Sequence, residues 1–156
     1  MTRRSARAPL LLALAAGCAP MTFSNEQSVD FSAYPSVSVE VGGPDGSERQ
    51  REYLASELSA HSGFWHVTRD RREPASARLA VELVIRIDDR PIVLLGSDDG
   101  DPEITYSAEV HYRLVAADGE RIDSGADSAE GELTSFDAAE AALDRIVLHY
   151  LPSYRL

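Results

Sequence analysis

Two stretches of strict alternation constrain the fold more than anything else in the chain. In the first, Leu79, Val81, Leu83, Ile85 and Ile87 take every second position, and Arg78, Glu82, Arg86 and Asp88 point the opposite way. In the second, Ile104, Tyr106, Ala108, Val110, Tyr112 and Leu114 share one face opposite Thr105, Glu109, His111 and Arg113. A period of two gives a strand one greasy side and one wet side. Two such strands require a sheet that is covered on one face only, which excludes an all-helical domain and a doubly covered parallel sheet.

The remaining segments supply the cover and the other strands. After Tyr34-Pro35, Val37, Val39 and Val41 alternate with Ser36, Ser38 and Glu40, and Gly42 to Gly46 end that strand. Ser47 with Gln50 reads as a capping box opening a helix. Tyr53, Leu54, Leu58 and His61 make its apolar stripe, Glu48, Arg49, Glu52 and Glu57 its wet face, and Gly63 its stop. Phe64 to Arg69 predicts a short second strand, followed by a charged surface loop from Asp70 to Pro74. Ala117-Asp118-Gly119 predicts a three-residue hairpin turn with glycine in the left-handed position. That register sets Leu114 against Ile122, Val110 against Ala126, Arg113 against Asp123 and Glu109 against Asp127. A two-residue turn would set Leu114 against Asp123 on the buried side, and is rejected on that ground. The small residues of the fifth strand (Ser124, Gly125, Ala126, Ser128, Ala129, Gly131) predict close packing under a helix. That helix starts at Thr134 or Ser135 with Asp137 in a capping arrangement, buries Phe136, Ala139, Leu143, Ile146, Val147 and Tyr150, and closes at Pro152. The expected fold is α+β: a two-layer sandwich, β-α-β-β-β-β-α, with a mixed four- to five-stranded sheet and two helices on one face.

The first twenty residues say where such a domain would live. Arg3, Arg4 and Arg7 precede an apolar run from Pro9 to Ala16, about half the ~20 residues a spanning helix needs. A basic head, a short apolar middle and a small-residue cut site make a secretory signal. Ala15-Ala16-Gly17-Cys18 resembles the lipobox of bacterial lipoproteins, in which the cysteine is acylated and becomes the first mature residue. The chain then divides into a signal peptide (1–17), a lipidated N-terminus and tether (18–33) and one domain (34–156). Losing residues 1–17 removes three arginines and no acid from a chain with 15 basic and 26 acidic residues, which leaves twelve basic residues and a net charge of −14. Such a domain is unsuited to nucleic acid or to charge-driven docking on anionic lipid. Cys18 is the only cysteine, so disulfides and thiol chemistry are excluded once it is acylated.

Tyr34-Pro35 leading into a valine strand, a helix ending in Ser62-Gly63-Phe64, and a central strand over Ala77 to Ile87 resemble a group of small cell-envelope lipoproteins. These include the lipopolysaccharide-assembly lipoproteins and the activators of penicillin-binding proteins. The resemblance implies a non-catalytic part assisting a larger envelope assembly. Ala19, where an inner-membrane lipoprotein carries aspartate, implies the outer membrane with the domain facing the periplasm.

Catalytic motifs are sparse. With no lysine there is no phosphate-binding loop, Schiff base or serine–lysine dyad, and no Gly-x-Ser-x-Gly or His-Glu-x-x-His occurs. His61, His66, His111 and His149 share no metal-ligand spacing, so no metal and no cofactor is expected. The acidic tip Asp98 to Glu103 lacks the glycine of a calcium loop. Two function classes remain. One is a lipid-anchored binding module that meets an envelope protein or lipid through Ile92, Val93, Leu94 and Leu95 or through Glu82, Arg86, Glu109 and Arg113 on the wet face. The other is a carboxylate hydrolase using Glu82, Glu109 and Asp127, or a cation-binding protein, since Glu109 facing Asp127 would call for a cation or an arginine.

Cys18→Ser should move the protein from the membrane fraction to the soluble periplasmic fraction, because no other segment is apolar enough to insert. Retention of the variant in the membrane would refute the lipobox assignment.

Overall fold

The structure, a computed structural model, describes residues 29–88 and 104–152. The signal peptide, Cys18, the tether up to residue 28 and the run Ile92 to Leu95 lie outside them. Seven elements follow in order: β1 (Ser36–Gly42), α1 (Glu48–His61), β2 (His66–Thr68), β3 (Ala77–Asp88), β4 (Thr105–Ala116), β5 (Arg121–Glu132) and α2 (Ser135–His149). The five strands form one sheet in the order β2-β1-β3-β4-β5. β1 runs parallel to β2 and β3, and β3, β4 and β5 run antiparallel. This is the α+β sandwich expected from the sequence, with the full five strands.

The alternating residues do what their period dictates. Val37, Val39, Leu79, Val81, Leu83, Val110 and Leu114 are buried on one face, under Leu54 and Leu58 of α1 and Ala138, Ala139, Ala142, Leu143, Ile146 and Val147 of α2. Each large apolar side chain buried this way contributes about 1.5–3 kcal/mol. The alanines of α2 let its backbone lie close to β4 and β5. Two polar links tie neighbours within each layer. Tyr53 Oη donates to Asp144 Oδ1 at 2.8 Å between the helices. At the start of β1 and β3, Ser36 N–H donates to Ser76 Oγ (3.0 Å) and Ser76 N–H to Ser36 Oγ (2.8 Å).

Several local expectations are corrected. Thr134 caps α2 as expected, accepting from Asp137 N–H at 3.0 Å, but Ser47 makes no side-chain cap on α1. Gly63 is not needed for a left-handed stop, since its φ is not positive. It is needed because a Cβ there would lie 2.3 Å from the Phe31 ring. That ring meets Phe64 edge-on at 5.0 Å, and Val29 and Phe31 pack against the core, so the packed domain starts before Tyr34. β2 is shorter than predicted because Phe64 is drawn into the core ahead of it. Phe136 is 37% exposed, with the Arg49 guanidinium stacked on its ring, and His61 lies outside the apolar stripe beside Glu57.

The hairpin is the main correction. Its turn is as expected: Ala116 N–H donates to Glu120 O at 2.8 Å, and Gly119 has φ +93°. Val115 then faces Arg121, but Leu114 faces Asp123, because a β-bulge leaves Ile122 unpaired. From there Val110 faces Asp127, Arg113 faces Ser124 and Glu109 faces Ser128. The rejected pairing of Leu114 with Asp123 is therefore the one adopted.

Leu83, fully buried mid-strand, tests the core: Leu83→Ala should lower unfolding free energy by ~2–5 kcal/mol in urea titration. An unchanged midpoint would contradict the packing described.

Candidate functional site

The face of the sheet away from the helices carries the polar half of each alternation. Glu82, Arg86, Glu109 and Arg113 all lie on it, as their strand positions require. Glu82 stands directly opposite His111, Arg113 opposite Ala80, and Arg86 opposite Ser107. Glu109 joins two neighbours: Arg86 Nη2 lies 3.3 Å from its Oε2, and His111 Nε2 lies 2.7 Å from its Oε1. Of the two neighbours expected for Glu109, a cation or an arginine, the structure shows an arginine, Arg86. These side chains are all more than a third exposed, so their pairing is worth roughly 0–1 kcal/mol and sets the face's chemistry more than its stability.

The small residues of β5 have a different use from the one expected. Ala129 is buried, but Ser124, Ala126 and Ser128 are exposed beside the long side chains of β4. They floor two shallow troughs. One, of about 280 Å³, is lined by Arg86, Glu109, Ser128 and Glu130. The other, of about 350 Å³, is lined by Glu82, His111, Arg113, Arg121 and Ser124. Gly125 is required by Tyr112, whose hydroxyl would lie 2.6 Å from a Cβ at that position.

Glu82 borders one trough, and Glu109 and Asp127 both border the other without standing opposite each other. The bulge pairs Asp127 with Val110, whose side chain faces the helices, whereas Glu109 faces the other way. Among the described residues, no three His, Cys, Asp or Glu side chains converge to hold a metal ion. Of the other histidines, His66 pairs with Glu73 at 2.7 Å. The Thr68 hydroxyl and His66 together hold the Glu73 carboxyl below its usual range.

Asp123 is the residue that sequence reasoning missed. It is buried, and its carboxylate accepts from His149 Nε2 at 2.7 Å, Tyr150 Oη at 3.1 Å and Ser124 N–H at 2.8 Å. Tyr112 completes the cluster, its ring 5.4 Å from His149 and 6.0 Å from Tyr150. Burial, reinforced by the charges of Asp123 and Asp127, pushes the Tyr112 hydroxyl up to about 12. Burial first, then Asp123, drives the Tyr150 hydroxyl further up. Both phenols therefore stay protonated at neutral pH, and Tyr150 serves as a donor. The signal for this cluster was present: helical spacing puts His149 and Tyr150 near the buried stripe, where an aspartate in the apolar phase of β5 could meet them.

The Asp123 cluster fastens the end of α2 to the outermost strand. Asp123→Ala would leave His149 and the Tyr150 hydroxyl without their acceptor, at a cost of about 1–3 kcal/mol measured by urea unfolding. An unaffected midpoint would mean the cluster contributes no stability.

No protein-family model matches the chain, and no curated protein matches it. Among solved structures, the chain is similar to a minor lipoprotein from Acinetobacter baumannii. Identity is 14% and the TM-score 0.38, over 76% of this chain and 97% of that one.

Proposed function

We propose that this chain is a lipid-anchored, non-catalytic accessory domain of the bacterial cell envelope. It is attached through Cys18 to the outer membrane, faces the periplasm, and binds an envelope protein through the uncovered face of its sheet. The observation that carries the reading is that face itself. One side of the sheet is consumed by the core, while the other presents Glu82, Arg86, Glu109, His111 and Arg113 over a floor of small residues. Broad, shallow, mixed-charge relief suits a protein surface, in which charge pattern selects the partner. Small-molecule chemistry favours an enclosed pocket. Carboxylate hydrolysis is the less supported reading, because Glu109 stands opposite Ser128 rather than Asp127 and is held by Arg86. Among the described residues no helix is long and apolar enough to cross a membrane, and attachment rests on Cys18.

The test uses the full lipidated chain with a photo-crosslinking side chain at Ser124, which is exposed on this face. Reversing Arg86 and Arg113 together to glutamate should abolish the crosslinked envelope protein. Unfolding should shift by no more than ~0.5 kcal/mol per site, the usual range for surface positions. A variant that stays folded and keeps its crosslink would remove this face from the proposal.

A further inference from the structure

Among the described residues, the large exposed apolar side chains gather at the two ends of the sheet. Ile87, Ile104, Leu133 and Phe136 lie at the end where β3 finishes and α2 begins. Trp65, Leu148 and Leu151 lie at the other, where β1, β2 and β3 begin and both helices finish. Trp65 is the extreme case, 91% exposed and the only tryptophan in the chain.

Its exposure is built in. Phe64, the residue before it, is buried against Phe31 and Tyr150, so that end of the core is already filled. The backbone on either side is pinned: Trp65 N–H and His66 N–H both donate to Pro35 O, at 2.8 and 3.1 Å. Gly63 N–H donates to Tyr150 O at 3.0 Å, which ties the segment to the end of α2 and Leu151. The indole is thus held outward on a fixed support.

The path of the chain suggests what it meets. The described residues begin at Val29, and Phe31, two residues on, is the ring that meets Phe64 edge-on. The chain therefore enters the domain beside Trp65. Eleven residue steps separate Val29 from Cys18, a span of at most ~37 Å. We propose that Trp65 sits in the interfacial layer of the lipid bilayer, with Leu151 beside it, so that the domain stands on the membrane by this end and holds the opposite end away from it. The inference rests on the lipid-anchor reading of Cys18. An indole suits that layer because it is apolar with one N–H to hydrate. The contact is apolar rather than charge-driven, since exposed Asp30 adjoins Phe31 and Glu73 pairs with His66. Near this end Arg78 and Arg121 flank Val115 on the neighbouring strands, offsetting Asp118 and Glu120 of the turn. The twelve residues of β3 put the two ends ~40 Å apart.

Because Trp65 is the sole tryptophan, its fluorescence reads the position directly. The full lipidated chain would be reconstituted in vesicles of phosphatidylethanolamine and phosphatidylglycerol, with and without acyl-brominated phosphatidylcholine. The full Cys18→Ser chain in buffer gives the reference. The expected result is flotation with the vesicles, emission shifted to the blue of the reference, and loss of intensity to the brominated lipid. Flotation with emission at the reference position and no bromine quenching overturns the inference and leaves the anchor standing. A blue shift without quenching also overturns it, since the indole is then covered by protein. Failure to float overturns the anchor reading and this inference together.

Discussion

Leu79, Val81 and Leu83 in the middle of β3 are the contacts on which the rest of the domain depends. β3 has β1 on one side and β4 on the other, and its apolar residues lie beneath the helical layer. α1 brings only Leu54 and Leu58 as fully buried residues, too few to sustain a fourteen-residue helix in isolation. Its stability is borrowed from the sheet and from α2. The alanine-rich face of α2 has the opposite character: it gains little area per residue but approaches the strands closely, which favours dense packing.

Against this apolar background Asp123 is an expensive residue that the fold retains. A buried carboxylate must recover its lost hydration through hydrogen bonds, and Asp123 does so with His149, Tyr150 and the backbone of Ser124. An apolar residue of similar size could be as stabilising, so what the cluster adds is definition. It fixes where the last turn of α2 meets β5, and it accompanies the bulge at Ile122 that sets the register of the outer strand from Asp123 to Ala129. That register decides which β5 residues reach the uncovered face. Ser124, Ala126 and Ser128 arrive there, and Asp123 does not.

The geometry separates three surfaces. The uncovered face carries mixed charge over a shallow floor and is the surface proposed to meet a protein. The end bearing Trp65 lies where the chain enters and is the surface proposed to meet lipid. The opposite end gathers Ile87, Ile104, Leu133 and Phe136. Standing the domain on the Trp65 end would leave the uncovered face running up from the membrane, accessible from the side along its length.

The sequence by itself determined the element order, the face that β1, β3 and β4 bury, the cap at Thr134 and the glycine turn at Gly119. Each depends on residues within a turn or a strand, where period and local hydrogen bonding decide the outcome. It also determined that Glu82, Arg86, Glu109 and Arg113 would share the wet face, because alternation along a strand is covalent. Tertiary structure alone decided the rest. Whether Leu114 would face Ile122 or Asp123 depended on acceptor–donor partners at His149 and Tyr150, more than twenty residues further on. The need for glycine at position 63 came from the ring of Phe31. Glu109 meets Arg86 because β3 and β4 align those two residues near each other. Register, burial of a charge and close approach are properties of pairs that meet only after folding, and no local period encodes them.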